Sequence, residues 1–141
     1  MNSWFICKVS YEKTLENGKQ KKVTEPYLVD ALSFTEAEAR IIEEMKPYIT
    51  GEFTIADISR YPLSETFFND KGDKYFKATV AFISLDEKSG NEKKTKTAML
   101  IQASDLQQAK DLLTEGMKGT LADWELPKIE ETQILEVFQY S

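Results

Sequence analysis

The sequence contains an internal duplication. Residues 4–68 and 75–138 present the same order of apolar and polar segments, with matched residues 71 or 72 positions apart. The matched pairs are Phe5 and Phe76, Val9 and Val80, Lys21-Lys22 and Lys93-Lys94, Leu28 and Leu100, Ala31 and Ala103, Ala37 and Ala109, Met45-Lys46 and Met117-Lys118, Ile58 and Ile129, and Glu65 and Glu136. A period this long that occurs only twice indicates one duplicated supersecondary unit and not an open array of repeats.

Each copy predicts the same series of strands. Residues 4–12 alternate between the two faces of a strand, and the segment from Tyr75 repeats that period. Glycine-containing turns at residues 16–19 and 88–91 predict β-hairpins, with returning strands at 23–31 and 95–103. Third strands follow at 53–58 and 124–129, and each leads into a short apolar return. Pro26 lacks an amide hydrogen, which predicts an edge or a bulge near that residue.

One amphipathic helix is predicted in each copy. Ser33 and Glu36 form a capping box, in which the serine oxygen accepts from helix amides and the glutamate reaches back. Asp105 and Gln108 hold the corresponding positions. Apolar residues recur at helical spacing in both segments, so each helix is expected to pack one face against a sheet.

We therefore predict an α+β fold made of two tandem β-β-α-β repeats related by a pseudo-twofold. The repeats occupy residues 4–68 and 75–138, a short linker occupies 69–74, and together they form a single domain over residues 1–141. A mainly antiparallel sheet with two helices packed on one face satisfies the pattern. One continuous sheet is the favoured arrangement, and two sheets curling toward a barrel are the alternative.

Composition argues against several classes of function. The chain has no histidine and one cysteine, Cys7, which leaves few residues for metal binding or proton transfer near neutral pH. No phosphate loop, nucleophile motif or metal-ligand spacing occurs, so we predict no enzyme, no metal and no cofactor. No apolar run is long enough to span a membrane, and the start has no signal-peptide pattern, so a cytoplasmic location is expected.

Lysines concentrate at the two predicted hairpins. The candidate binding residues are these lysines together with one aromatic residue from the first strand of each copy. They are Lys19, Lys21, Lys22, Lys93, Lys94, Lys96, Trp4 and Tyr75. Basic grooves with aromatic side chains bind single-stranded nucleic acid. The alternative is that the lysines keep exposed hairpins soluble and prevent strand pairing with other chains. The net charge of −6 disfavours general duplex binding.

The C-terminal segment offers another possible contact. Residues 121–141 are strongly acidic and end in Val-Phe-Gln-Tyr-Ser. Such an end either docks onto a partner protein or forms a closing strand packed against the core, as its match with residues 63–68 suggests. Both readings are kept open at this point.

Three segments resemble a known family. They are residues 4–9, the string from Lys21 to Arg40 that begins Lys-Lys-Val-Thr-Glu-Pro-Tyr-Leu-Val-Asp-Ala, and residues 85–90. These segments resemble the bacterial family called domain of unknown function 4494, over nearly the whole chain. The resemblance implies a protein of about this length and supplies no catalytic residue.

The function predicted from these observations is a non-catalytic cytosolic binding or adaptor protein. Its expected partner is another protein or a second copy of itself, since an edge strand left open in each copy could pair across a twofold. The alternative is a single-stranded nucleic-acid-binding protein that uses the two lysine-rich hairpins.

Overall fold

A computed structural model describes residues 3–139 and shows an α+β fold. The elements in chain order are β1 (Ser3–Thr14), β2 (Gln20–Ala31), α1 (Phe34–Met45), β3 (Phe53–Arg60), β4 (Glu65–Phe67), β5 (Lys74–Leu85), β6 (Glu92–Ala103), α2 (Leu106–Gly116), β7 (Asp123–Glu131) and β8 (Glu136–Phe138). The predicted series of hairpin, helix and strand is therefore present twice. The pseudo-twofold relation between the repeats stays a prediction.

The chain divides into two compact units that are not identical to the sequence repeats. Unit 1 contains residues 1–62 and 133–141, and unit 2 contains residues 63–132. The sheet of unit 1 has the strand order β3-β1-β2-β8, and the sheet of unit 2 has the order β4-β6-β5-β7. Each sequence repeat therefore contributes its last short strand to the unit built mainly from the other repeat.

The prediction of one continuous sheet is wrong, because the strands form two four-stranded sheets. The long strands pair antiparallel, whereas β8 on β2 and β4 on β6 pair in parallel over three residues each. Apolar periodicity shows which face of a strand is buried but does not show which strand lies beside it. For that reason the sequence could not distinguish one sheet from two.

The predicted hairpins are confirmed. β1 and β2 pair along their whole length, and so do β5 and β6. Gly18 and Gly90 have φ angles of +82° and +73°, the left-handed conformation that the turns need. The backbone N–H of Gly18 donates to the carbonyl of Leu15 at 2.9 Å, and the N–H of Gly90 donates to that of Asp86 at 2.7 Å.

Each helix covers one face of the sheet in its own unit. In unit 1 the buried stripe of α1 is Ala37, Ile41 and Met45, which pack in one cluster with Phe5, Cys7 and Val9 of β1. In unit 2 the stripe is Ala109, Leu113 and Met117, which pack with Phe76, Ala78 and Val80 of β5. The matched residues of the sequence therefore occupy corresponding places inside the two cores.

Two irregularities have local causes. Pro26 lies in β2, between β1 and β8, but β8 pairs only with residues 27–29. At residue 26 the carbonyl accepts from the N–H of Leu135, just before β8, and no strand pairing begins until residue 27, so the missing amide hydrogen costs little there. Register shifts occur between Lys8 and Val9 opposite β3, and between Thr79 and Ala81 opposite β7, which are β-bulges in the third strands.

Candidate functional site

The lysines of the first hairpin are exposed in unit 1. Lys19, Lys21 and Lys22 lie at or beside the turn, and none of them is buried. Lys21 lies directly across the strand pair from Lys13, and Lys22 lies across from Glu12. Like charges opposite each other destabilise a strand pair, so the Lys13 and Lys21 pair concentrates positive charge at a cost in local stability. The sequence analysis did not single out Lys13, because only the strand register places it beside Lys21.

The lysines of the second hairpin are exposed in unit 2, and one is paired. The Nζ atom of Lys94 lies 2.8 Å from Oε1 of Glu125 in β7. The hydrogen bond to Glu125 and its negative charge raise the pKa of Lys94. Lys93 and Lys96 lie opposite Ser84 and Ala81 of β5. The carboxylate of Glu125 therefore offsets part of the positive charge of the second hairpin.

The structure does not bring the two predicted aromatic residues to these lysines within either unit. Trp4 pairs with Asp30, and Lys21 pairs with Lys13, nine positions further along β1. That separation is about 30 Å at the rise of an extended strand. Tyr75 pairs with Gln102 at the far end of β5 from its hairpin and is only 4% exposed. A groove that combines these lysines with these rings is therefore not formed inside either unit.

A cluster of two phenols and a carboxylate lies on the helix side of the unit 1 sheet. The hydroxyl of Tyr27 donates to Oε1 of Glu25 at 3.3 Å. A hydrogen bond to Glu25, with burial and the charge of Glu25 adding, raises the pKa of Tyr11 to about 12. Burial, followed by the charge of Glu25, raises the pKa of Tyr27 well above its usual range. The ring of Tyr27 stacks on Phe138 of β8 with centroids 6.0 Å apart.

The corresponding end of unit 2 has an open depression, which we call the α2 pocket. Its volume is about 260 Å³. The apolar lining consists of Phe67, Phe82, Met99 and Met117. The polar rim consists of the exposed residues Ser64, Glu65 and Thr120, and Gly116 completes the lining. A concave site that combines apolar side chains with a few polar groups is a common form of recognition site in proteins. This pocket could not be predicted from the sequence, because it depends on how β4, β6 and the end of α2 come together.

Phe67 is held in the α2 pocket by its strand and by α2. β4 pairs with β6 in the register Phe67 to Ile101, and the N–H of Ser64 donates to the carbonyl of Ala98 at 2.8 Å. The ring of Phe67 lies directly over Gly116, so closely that no β-carbon fits there. The last residue of α2 and the short strand β4 therefore fix one wall of the pocket.

A second depression of about 320 Å³ lies in unit 1 between α1 and β3. Phe34, Thr35, Glu38, Ile55 and Ile58 line it. Phe34 makes an edge-to-face contact with Phe5 at 4.9 Å, and the guanidinium of Arg60 lies 5.2 Å from the Phe34 ring centroid. These contacts hold Phe34 against the core, although 44% of the residue is exposed.

Cys7 is fully buried in the core of unit 1. Burial, with a smaller contribution from the charge of Asp57, raises the pKa of the thiol to about 12. The thiol is therefore protonated at neutral pH and shielded from reagents. Between residues 3 and 139 no group of three or more histidine, cysteine, aspartate or glutamate residues is placed to hold a metal ion. Over the same residues, neither helix is long and apolar enough to cross a membrane.

The C-terminal segment forms a closing strand as far as it is described. β8 pairs with β2, and the N–H of Leu135 donates to the carbonyl of Pro26 at 3.0 Å. Of the expected acidic and aromatic end, Tyr140 and Ser141 lie outside the described residues. The strand alternative from the sequence thus accounts for residues 136–138.

Fold and site together define an α+β protein in which two four-stranded sheets each carry one helix and one short parallel strand. The chain belongs to the family described as Domain of unknown function (DUF4494), whose model matches residues 3–140. The resemblance found in the sequence is thereby confirmed. Neither a curated protein nor a solved structure shows significant similarity to the chain.

Proposed function

We propose that the protein is a non-catalytic binding protein of the cytosol, and that it holds a partner protein through the α2 pocket. The observation that carries this proposal is the combination of four apolar side chains with an open, polar rim. Protein interfaces place their strongest contacts in such pockets, where a partner side chain loses its hydration completely.

The chemistry of the pocket supports binding and not turnover. Its lining contains one charged residue, Glu65, which is exposed and has no second carboxylate or base among the other lining residues. General acid–base catalysis needs a positioned pair of such groups. Met99 and Met117 are well suited to recognition, because the thioether side chain adapts its shape to a partner.

Site-specific photocrosslinking in the native host tests this proposal. A diazirine-bearing residue placed at Thr120, on the pocket rim, should give one discrete crosslinked product with a partner protein. The matched control places the same residue at Thr114, which is an exposed threonine of α2 outside the pocket lining. The Met99→Tyr substitution should remove the product by filling the pocket. Equal crosslinking from both positions, or a product that persists in the Met99→Tyr protein, would contradict the proposal.

A second candidate function is binding of single-stranded nucleic acid by the first hairpin. The observation that favours it is the direct opposition of Lys13 and Lys21, with Lys19 and Lys22 close by in the same hairpin. Fluorescence anisotropy with labelled oligonucleotides should show binding that weakens as salt rises. The Lys13→Glu and Lys21→Glu double substitution should abolish it, while Lys94→Glu, at a residue already paired with Glu125, should change it less. Binding that is unaffected by the double substitution would remove this candidate.

A further inference from the structure

The α2 pocket can be compared with the corresponding place in unit 1. The N–H of Leu135 donates to the carbonyl of Pro26, as the N–H of Ser64 donates to that of Ala98. β8 pairs with β2 in the same register as β4 with β6, so that Phe138 of unit 1 corresponds to Phe67 of unit 2. The two places can therefore be compared residue by residue.

The residues that differ are larger in unit 1. Tyr27 takes the place of Met99, since each pairs with the first residue of the short parallel strand. Tyr48 takes the place of Thr120, because each donates its N–H to the carbonyl of a buried methionine near its helix end. Gly116, one residue before Met117, has Glu44 as its counterpart before Met45. Tyr48 is 71% exposed, and the ring of Phe67 itself lies over Gly116, so the difference that bears on the pocket is that between Tyr27 and Met99.

In unit 1 the strand position of Met99 carries an aromatic ring. Tyr27 is 8% exposed and stacks on Phe138 with an interplanar angle of 25°. In unit 2 the corresponding residue is also a phenylalanine, Phe67, whose ring lies over Gly116 where unit 1 has Glu44, and Met99 supplies no ring to stack on it. The fold therefore carries, in its own first unit, an example of the group that fits against this wall.

We propose that the α2 pocket binds an aromatic side chain of the partner protein, stacked on Phe67 as Tyr27 is stacked on Phe138. This inference rests on the proposed function and specifies its ligand. A dry cavity of about 150 Å³ is enough to hold a benzene ring, and the α2 pocket is larger. Stacked aromatic pairs are more stable than the burial of their surface alone predicts, which favours a ring over an aliphatic side chain of similar size.

The charge at the rim separates a polypeptide from a free aromatic acid. Glu65 is the charged residue of the lining, and it is exposed at the mouth of the pocket. A free aromatic acid would bring its carboxylate next to Glu65 and be repelled. The ring of a phenylalanine or tyrosine residue within a chain enters with neutral amides on either side, and these avoid the repulsion.

Methyl NMR of the full chain with carbon-13-labelled methionine methyl groups tests the inference. Titration with N-acetyl-phenylalanine amide should shift the methyl signals of Met99 and Met117 by the ring current, while Met45 in unit 1 acts as the internal control. N-acetyl-leucine amide and benzoate should bind about tenfold more weakly, which corresponds to about 1.4 kcal/mol. Met99→Tyr should abolish the shifts of Met117, and the conservative Met99→Leu should keep them.

Two results would overturn the aromatic assignment. The first is equal binding of the leucine and phenylalanine amides, and the second is tighter binding of benzoate than of the phenylalanine amide. Either result leaves the crosslink from position 120 intact, so the identity of the ligand side chain fails separately from the binding of a partner. A signal of Met45 that shifts as much as that of Met117 would show that the probe does not select the α2 pocket, and it would also refute the inference.

Discussion

Gly116 is a residue whose missing side chain shapes the α2 pocket. A β-carbon at this position would lie 2.8 Å from Cδ1 and 2.9 Å from Cζ of Phe67, and closer still to Cε1. Gly116→Ala should therefore displace the Phe67 ring and lower the free energy of unfolding by about 1–3 kcal/mol. This loss outweighs the gain of about 1 kcal/mol that alanine normally brings to a helix. Urea unfolding followed by circular dichroism measures the change.

Gly51 provides the control for Gly116. A β-carbon at Gly51 meets nothing within 4 Å. Gly51→Ala should leave the free energy of unfolding within about 0.5 kcal/mol of the wild type. If both substitutions have the same small effect, the ring of Phe67 does not rest on Gly116 in solution.

Cys7 should resist alkylation while unit 1 is folded. Because burial raises the pKa of its thiol to about 12, the folded state keeps the proton where an unfolded thiol, with a pKa near 9.0, loses it. Its contribution to stability is therefore complete below pH 9 and falls as the pH rises from there toward 12. Iodoacetamide at pH 8, read by intact mass, should label the protein only after denaturant is added. Rapid labelling without denaturant would show that the thiol is accessible.

The sequence predicted burial correctly for residues whose side chains fill the core. Cys7 aligns with Ala78, which indicates a small core side chain, and both residues are fully buried. The α2 pocket could not be found in the same way, because it depends on the space beside Met99 and on the close approach of the Phe67 ring to Gly116. Once the strand register is known, a comparison of side-chain volumes at matched positions of the two copies indicates where the pocket lies.

At the scale of elements, the two helix caps have comparable geometry. The N–H of Glu36 donates to Oγ of Ser33 at 3.2 Å, and the N–H of Gln108 donates to Oδ1 of Asp105 at 2.8 Å. Ser33→Ala and Asp105→Ala should each lower the free energy of unfolding by about 1 kcal/mol. Ser104→Ala, one residue before the second cap, is the control and should have little effect. Chemical denaturation of the three proteins measures the free energy of unfolding. Equal losses from Ser104→Ala and Asp105→Ala would contradict the predicted contribution of the cap.

The helices and hairpins were predictable because their signals are local. A capping box, an apolar stripe at helical spacing and a glycine in a turn each lie within a few residues of one another. The pairing of β4 with β6, and of β8 with β2, has no such local signal. Phe67 and Ile101 are neighbours in the sheet but far apart in sequence, and nothing in either segment specifies the other. Only the assembled core determines which edge each short strand covers.

At the scale of the molecule, the exchange of β4 and β8 separates sequence neighbours into different units. β8 follows β7 in the chain but completes the sheet of unit 1, and β4 follows β3 but completes that of unit 2. The duplication predicted the same series of hairpin, helix and strand twice, and the described residues contain that series. The crossing of the last strands means that neither repeat alone contains a complete unit.

The exchanged positions of β4 and β8 predict which unit loses stability when a residue of either short strand is substituted. Phe138→Ala removes the ring that stacks on Tyr27, so it should weaken unit 1, although residue 138 follows unit 2 in the chain. Phe67→Ala removes the wall packed against the core of unit 2, although residue 67 follows unit 1. Each loss should be about 2–4 kcal/mol for a ring of this kind.

Hydrogen exchange read by mass spectrometry locates the two losses. In the Phe138→Ala protein, amides of β2 should exchange faster while those of β7 keep their protection. In the Phe67→Ala protein, amides of β6 should exchange faster while those of β3 keep theirs. The two variants are thus matched controls for each other. Faster exchange in β7 from Phe138→Ala, or in β3 from Phe67→Ala, would show that each short strand stabilises the unit next to it in sequence, and the exchanged topology would then be incorrect.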